Sequence, residues 1–208
     1  MDKGAVAPRP RRRHLEPMFI QTEATPNPNV LKFLPGREVL GEGTREFTID
    51  QASASPLAEA LFDLNGVQRV FFGPDFLTVT KASDEQDWRE LKAPILAAVM
   101  EHFTSGRPLI NEGAGAASSH DEDEVYEGDA AQVVAEIKDL LDTRIRPAVA
   151  RDGGDILFNR FDAASGVVYL HMRGACSGCP SSSATLRSGV ENMLKHYVPE
   201  VVRVEAAL

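Results

Sequence analysis

The chain has 208 residues, 43% of them hydrophobic and 25% charged, enough for one large or two modest domains with a core each. Its formal net charge of −9 argues against nucleic acid as the main partner, and no run of about 18 apolar residues offers a membrane span. Two cysteines lying close together make no disulfide framework and fit a reducing compartment.

Residues 1–17, with Arg9-Pro10-Arg11-Arg12-Arg13-His14, carry no apolar periodicity and predict a disordered arm. A secretory signal needs an apolar core that is missing, and Asp2 with three prolines suits a transit helix poorly, so the expectation is a dispensable arm ahead of Met18. A first domain, 18–104, follows. Phe19 to Glu23 and Val30 to Leu34 predict strands joined by the turn-rich Thr25-Pro26-Asn27-Pro28-Asn29, and Arg45 to Ile49 a third. Ser55 caps a helix with Pro56 at its first position and Leu57, Leu61 and Leu64 on its apolar side, and Asn65-Gly66 stops it. Val67 to Phe72 and Phe76 to Thr80 predict a hairpin around Gly73-Pro74-Asp75. Ser83 opens a last helix whose buried side is Trp88, Leu91, Ile95, Val99 and Phe103. Nothing here clusters as catalytic residues. The acids and Lys81 read as solvated surface, and Trp88 as core rather than a cofactor platform.

Residues 105–128 change to Gly, Ala, Ser and acids, ending in His120-Asp121-Glu122-Asp123-Glu124, and predict a flexible, self-repelling linker that leaves the domains free to reorient. The second domain, 129–208, opens with a helix carrying Val133, Ile137, Leu140, Leu141 and Ile145, with Pro147 kinking its last turn. Asp152-Gly153-Gly154-Asp155 breaks the chain, the paired glycines reading as helix termination and turn geometry. Strands follow at Ile156 to Phe161 and Gly166 to Met172, then the cysteine loop, a helix with Leu186, Val190, Met193, Leu194 and Tyr197 on one stripe, and a final strand at Val201 to Val204. The fold class is α+β: two small α+β domains, the second a helix-strand-strand-loop-helix-strand layer on a mixed sheet.

Both cysteines fall in Arg173-Gly174-Ala175-Cys176-Ser177-Gly178-Cys179-Pro180. A C-x-x-C pair alone can be half a zinc site, a dithiol redox centre, half an iron-sulfur ligand set or an incidental pair. Its place between a strand and a helix starting at Pro180 puts it beside free N–H groups and a positive dipole end, which favour thiolate and a negatively charged cluster. Gly174 and Gly178 let backbone amides approach sulfur. A tetrahedral zinc or an iron-sulfur cluster wants about four protein ligands, and one chain offers two thiolates. His14, His102, His120, His171 and His196 form no close H-x-x-x-H pair, and His171 reads as a sheet-face residue. Two identical loops meeting across a two-fold axis would supply four thiolates.

The segment from Val134 through Val204, with R-P-A-V-A-R-D-G-G-D at 146–155 and G-A-C-S-G-C-P at 174–180, resembles the C-terminal domain of the NifU and Nfu iron-sulfur proteins. Met18 to about Phe103, with E-A-T-P-N-P-N at 23–29 and F-F-G-P-D-F-L-T-V-T-K at 71–81, resembles the Nfu N-terminal domain. The separate N-terminal cysteine scaffold domain of full NifU is missing, so the shorter Nfu type fits. The resemblance implies a non-enzymatic scaffold or carrier that takes a cluster from an upstream assembly scaffold and passes it to apo iron-sulfur recipient proteins. It implies Cys176 and Cys179 as metal ligands of a [4Fe-4S] cluster, with [2Fe-2S] the alternative, shared in a homodimer. It also implies bacterial cytoplasm or the mitochondrial matrix. Two rivals stay open: a thioredoxin-like dithiol oxidoreductase, whose motif belongs beside a βαβ unit, and a zinc-stabilised interaction module built on a Cys₄ dimer site.

Overall fold

A computed structural model describes residues 19–113, 125–177 and 180–207, the side chains of 180–183 excepted. The predicted arm at 1–17, residues 114–124 of the linker, and Cys179 lie outside the described residues. Two α+β units follow one another, each with its own sheet and its own apolar core.

The first unit is an antiparallel sheet in the order β1-β2-β5-β4-β3. Its strands are β1 (Gln21–Ala24), β2 (Val30–Leu34), β3 (Arg45–Phe47), β4 (Val67–Phe72) and β5 (Leu77–Lys81). Phe33, Phe47, Val70, Phe72, Leu77 and Val79 project from one face and pack with Leu57, Leu61, Leu91, Ile95 and Val99 of two helices, α1 (Pro56–Phe62) and α2 (Trp88–Ser105). Ser55 caps α1 as its sequence requires, its side chain accepting from Ala58 N at 3.2 Å. Trp88 packs partly buried against this core.

Three expectations for this unit need correction. The third strand ends at Phe47, because residues Ile49–Ala54 wind into a 3-10 helix whose Asp, Ala and Ser content suits a turn better than a pleated edge. The last helix starts at Trp88 rather than near Ser83: Asp87 caps it by accepting from Arg89 N at 2.9 Å, while Ser83 closes a local turn by accepting from Glu85 N. Lys81 is not solvated surface. It is 8% exposed, and its Nζ donates to Asp84 O and Gln86 O, holding the loop ahead of α2.

In the second unit α3 (Asp129–Leu140) runs into a π-helical turn (Leu141–Ile145) and then α4 (Arg146–Arg151). The widening sits beside Pro147, which has no N–H to donate and whose ring crowds the preceding turn; Arg146 N instead reaches back to Leu141 O. The strands β6 (Gly154–Asp162) and β7 (Val167–Gly174) form an antiparallel hairpin, and β8 (Arg203–Ala206) lies parallel to β7 after the crossover helix α5 (Pro180–Tyr197). The final strand falls two residues later than expected because Val201 N is used in a turn onto Val198 O. Ile137, Leu141, Ile156, Val168, Leu170, Leu194 and Val204 are at the centre of this core.

The two units are in contact. The face of the first sheet that α1 and α2 leave open rests on the second unit, around the end of the β6–β7 hairpin.

Candidate functional site

The β7 strand ends at Gly174, whose φ of +61° turns the chain out of the sheet. Local backbone bonds then shape the loop: Ala175 N donates to Gly153 O, Cys176 N to Arg173 O and Ser177 N to Gly174 O, with Ser177 Oγ also donating to Gly174 O at 2.9 Å. Cys176 is 5% exposed and belongs to the second core. Cys179, the other expected ligand, lies outside the described residues. Among the described residues no three His, Cys, Asp or Glu side chains gather as a metal site. His171 faces Asn159 across the hairpin, Nδ2 of Asn159 lying 2.9 Å from its Nε2, in keeping with a sheet-face residue.

The Asp152-Gly153-Gly154-Asp155 segment lies against this loop. A methyl on Gly154 would sit 2.4 Å from Cys176 Sγ and 2.7 Å from Arg173 O, so only glycine lets the strand pass so close to the thiol. Asp155 is buried and joins several elements. Its Oδ1 accepts from Arg146 Nε at 2.8 Å and Ile156 N at 2.9 Å, and its Oδ2 from Arg146 Nη2 at 3.1 Å and Thr44 Oγ1 at 2.6 Å. Arg146 also reaches Asp142, and the forked pairing with Asp155 holds its guanidinium charged well above the usual range.

The electrostatics of Cys176 differ from the sequence expectation of a thiolate-favouring loop. Burial first, then the carboxylates of Asp155, Asp152 and Glu46, push its thiol up to about 12. The thiol is buried in the second unit's own core, and of the three carboxylates only Glu46 belongs to the first sheet, which lies on the loop. One rung crosses four strands of the first sheet, since Lys32 pairs with Thr78, Thr78 with Phe71 and Phe71 with Glu46. All four side chains point at the second unit. Lys32, 7% exposed, donates from Nζ to Ala150 O at 3.1 Å and Arg151 O at 3.0 Å, the terminal carbonyls of α4. Glu46 accepts from Gly174 N at 2.9 Å; burial holds its carboxyl above the ordinary range, against that bond and the nearby Arg69 and Arg173. Beside the rung, Asn27 Nδ2 donates to Ser177 O at 3.1 Å and Arg69 Nη1 to Ser177 Oγ at 3.2 Å.

Sequence reading missed Lys32, Glu46, Asn27 and Arg69 as neighbours of the cysteine loop. A faint signal existed. A half-exposed hairpin normally alternates apolar with charged residues, yet the outward positions of β4 and β5 include Phe71, Thr78 and Thr80, all buried.

The first unit matches the family model described as scaffold protein Nfu/NifU N terminal over residues 20–106, and the second unit the NifU-like domain over 137–205. NifU-like protein 4, mitochondrial, of Arabidopsis thaliana is 54% identical over 189 residues, which is 90% of this chain and 65% of that protein. The Homo sapiens protein named NFU1 iron-sulfur cluster scaffold homolog, mitochondrial, is 50% identical over 194 residues, 92% of this chain and 72% of its own. The chain thus spans about two thirds of the length of these relatives. A solution NMR structure of a NifU-like protein from Saccharomyces cerevisiae aligns with 49% of this chain and 93% of its own, at 26% identity and a TM-score of 0.43.

Proposed function

Since the chain belongs to the Nfu and NifU-like scaffold family, we propose that it carries an iron-sulfur cluster on Cys176 and Cys179 and hands it to apo-proteins. The cluster is its cargo, a [4Fe-4S] unit bridging two copies of the chain through both C-x-x-C motifs, received from an upstream assembly scaffold. The observation that carries this reading is the position of Cys176: just past the end of β7, at the open end of the β6–β7 hairpin, in a loop that starts at Gly174 and leads into α5. The loop lies between β7 and α5 of a parallel β7-α5-β8 crossover, an arrangement that a thioredoxin-like dithiol enzyme shares, so metal content rather than topology separates the two readings. The relatives named mitochondrial support the matrix as the working compartment.

Transfer is ligand exchange at iron, with no change of oxidation state. A recipient thiol loses its proton and its sulfur bonds to iron. The displaced Cys176 or Cys179 sulfur leaves and takes up a proton, so charge and protons balance at each replacement. Loop amides that donate to cluster sulfur would tune how readily it departs.

Iron, sulfide and zinc content per chain, measured with Mössbauer spectra and native mass on protein purified without oxygen, tests the reading. About four irons and four sulfides per dimer are expected, and Cys176→Ser should lose them. Zinc without sulfide would indicate the interaction module instead, and a metal-free monomer cycling between dithiol and disulfide would indicate the redox enzyme.

A further inference from the structure

We propose that the open face of the first sheet is a cover for the cysteine loop, one that must lift before the loop can meet a second copy or a recipient; what the loop then does rests on the carrier reading above. The cover is built from one rung. With strands about 4.8 Å apart, the line Lys32–Thr78–Phe71–Glu46 spans about 14 Å. Each member meets the chain within three residues of Cys176 or on the adjoining 150–153 turn. Lys32 holds the last carbonyls of α4, where a cation suits the negative end of the helix. Thr78 lies over Gly153, where a methyl would come within 2.9 Å of its Cγ2, and Phe71 lies over Gly174, where a methyl would come within 3.1 Å of its ring. Glu46 takes the Gly174 N–H. A cation at one end and a carboxylate at the other fix which way round the sheet sits.

This face occupies the approach that a second loop would need. Ser177 spends both its carbonyl and its hydroxyl on the first unit, through Asn27 and Arg69, and Thr44 reaches Asp155 behind the thiol. Two such loops cannot bring their thiolates to one cluster with a sheet lying on each. The contact is also of a kind that separates. It is held by polar bonds rather than a shared apolar core, as transient interdomain contacts are, and it leaves Thr78 Oγ1 buried without a partner. Covalent reach permits opening. Asn111 is bonded to the first unit at Ala54 O and Ser53 O, and Tyr126 to the second at Phe161 N; the fourteen residues of sequence between them have a contour length of about 50 Å.

The test is pulse labelling of the metal-free full chain with N-ethylmaleimide, read at Cys176 by peptide mass spectrometry and paired with small-angle scattering. Two variants open the cover without taking a negative charge from the thiol's surroundings: Lys32→Ala with Asn27→Ala, and Thr78→Glu, whose carboxylate finds water only when the sheet lifts. Each should label Cys176 at least about tenfold faster and scatter as a more extended particle, while circular dichroism shows both units folded. Unchanged labelling in both folded variants overturns the cover. Faster labelling in a chain that never takes up iron and sulfide upholds the cover and removes the carrier reading. A cluster-loaded wild type that still scatters as the docked particle overturns the cover and leaves the carrier reading standing.

Discussion

Gly153 and Gly154 look like one signal and are two. Gly153 has a φ of +85° and ends α4, as helix termination predicts; Gly154 has no such need and is glycine because Cys176 Sγ and the Arg173 carbonyl leave no room for a methyl. Close approach between residues 22 apart in sequence leaves no periodic trace, which is why only the first role was legible. Gly154→Ala should therefore destabilise the second unit by about 1–3 kcal/mol through overpacking, read by calorimetry as a lowered melting temperature. A melt indistinguishable from wild type would mean that the loop moves aside freely. His102 makes a different residue-scale prediction. Burial, with Arg107 adding to it, holds the imidazole below its ordinary pKa, and Nδ1 is buried without a partner. The unfolded chain then binds more protons than the folded one, so the first unit has full stability above the unfolded value of about 6.5 and loses it as pH falls through that value. The melting temperature of the first unit should drop between about pH 7 and pH 5, and drop less in His102→Gln; equal drops would assign the dependence to other groups.

At the scale of elements, capping and periodicity were the reliable guides. The segment Val30–Leu34 and the start of α1 stand where the residues put them, because alternation, Ser55 and Pro56 act locally. Ser55→Ala should cost about 1 kcal/mol in a urea melt of the first unit, since its buried oxygen is the partner of Ala58 N; no loss would mean that another group takes up that N–H. Ends were less legible where two signals competed. Ser83 and Asp87 both offer a cap, and the one nearer the apolar stripe of Leu91 and Ile95 starts the helix. Pro147 announced a disturbance but not its form, because whether the chain kinks or widens into a π turn depends on keeping Leu141 and Ile145 in the core on either side of it.

For the molecule as a whole, the sequence carried the two-unit α+β plan and the loop that holds the cysteines, and concealed the contact between the units. That contact is made largely by single side chains reaching backbone atoms far away in sequence, and neither composition nor spacing records such pairings. It also has an uneven genetic consequence. Lys32, Glu46 and Asn27 contribute side chains, whereas Ala150, Arg151, Gly174 and Ser177 answer with carbonyls and an N–H that every residue other than proline possesses. One partner can be erased by a single codon change and the other largely cannot. Drift at 150 and 151 leaves the carbonyls in place, so in the second half of the chain the grip is open to mutation chiefly at the side chains of Asp155 and Ser177 and at the glycines 153 and 174.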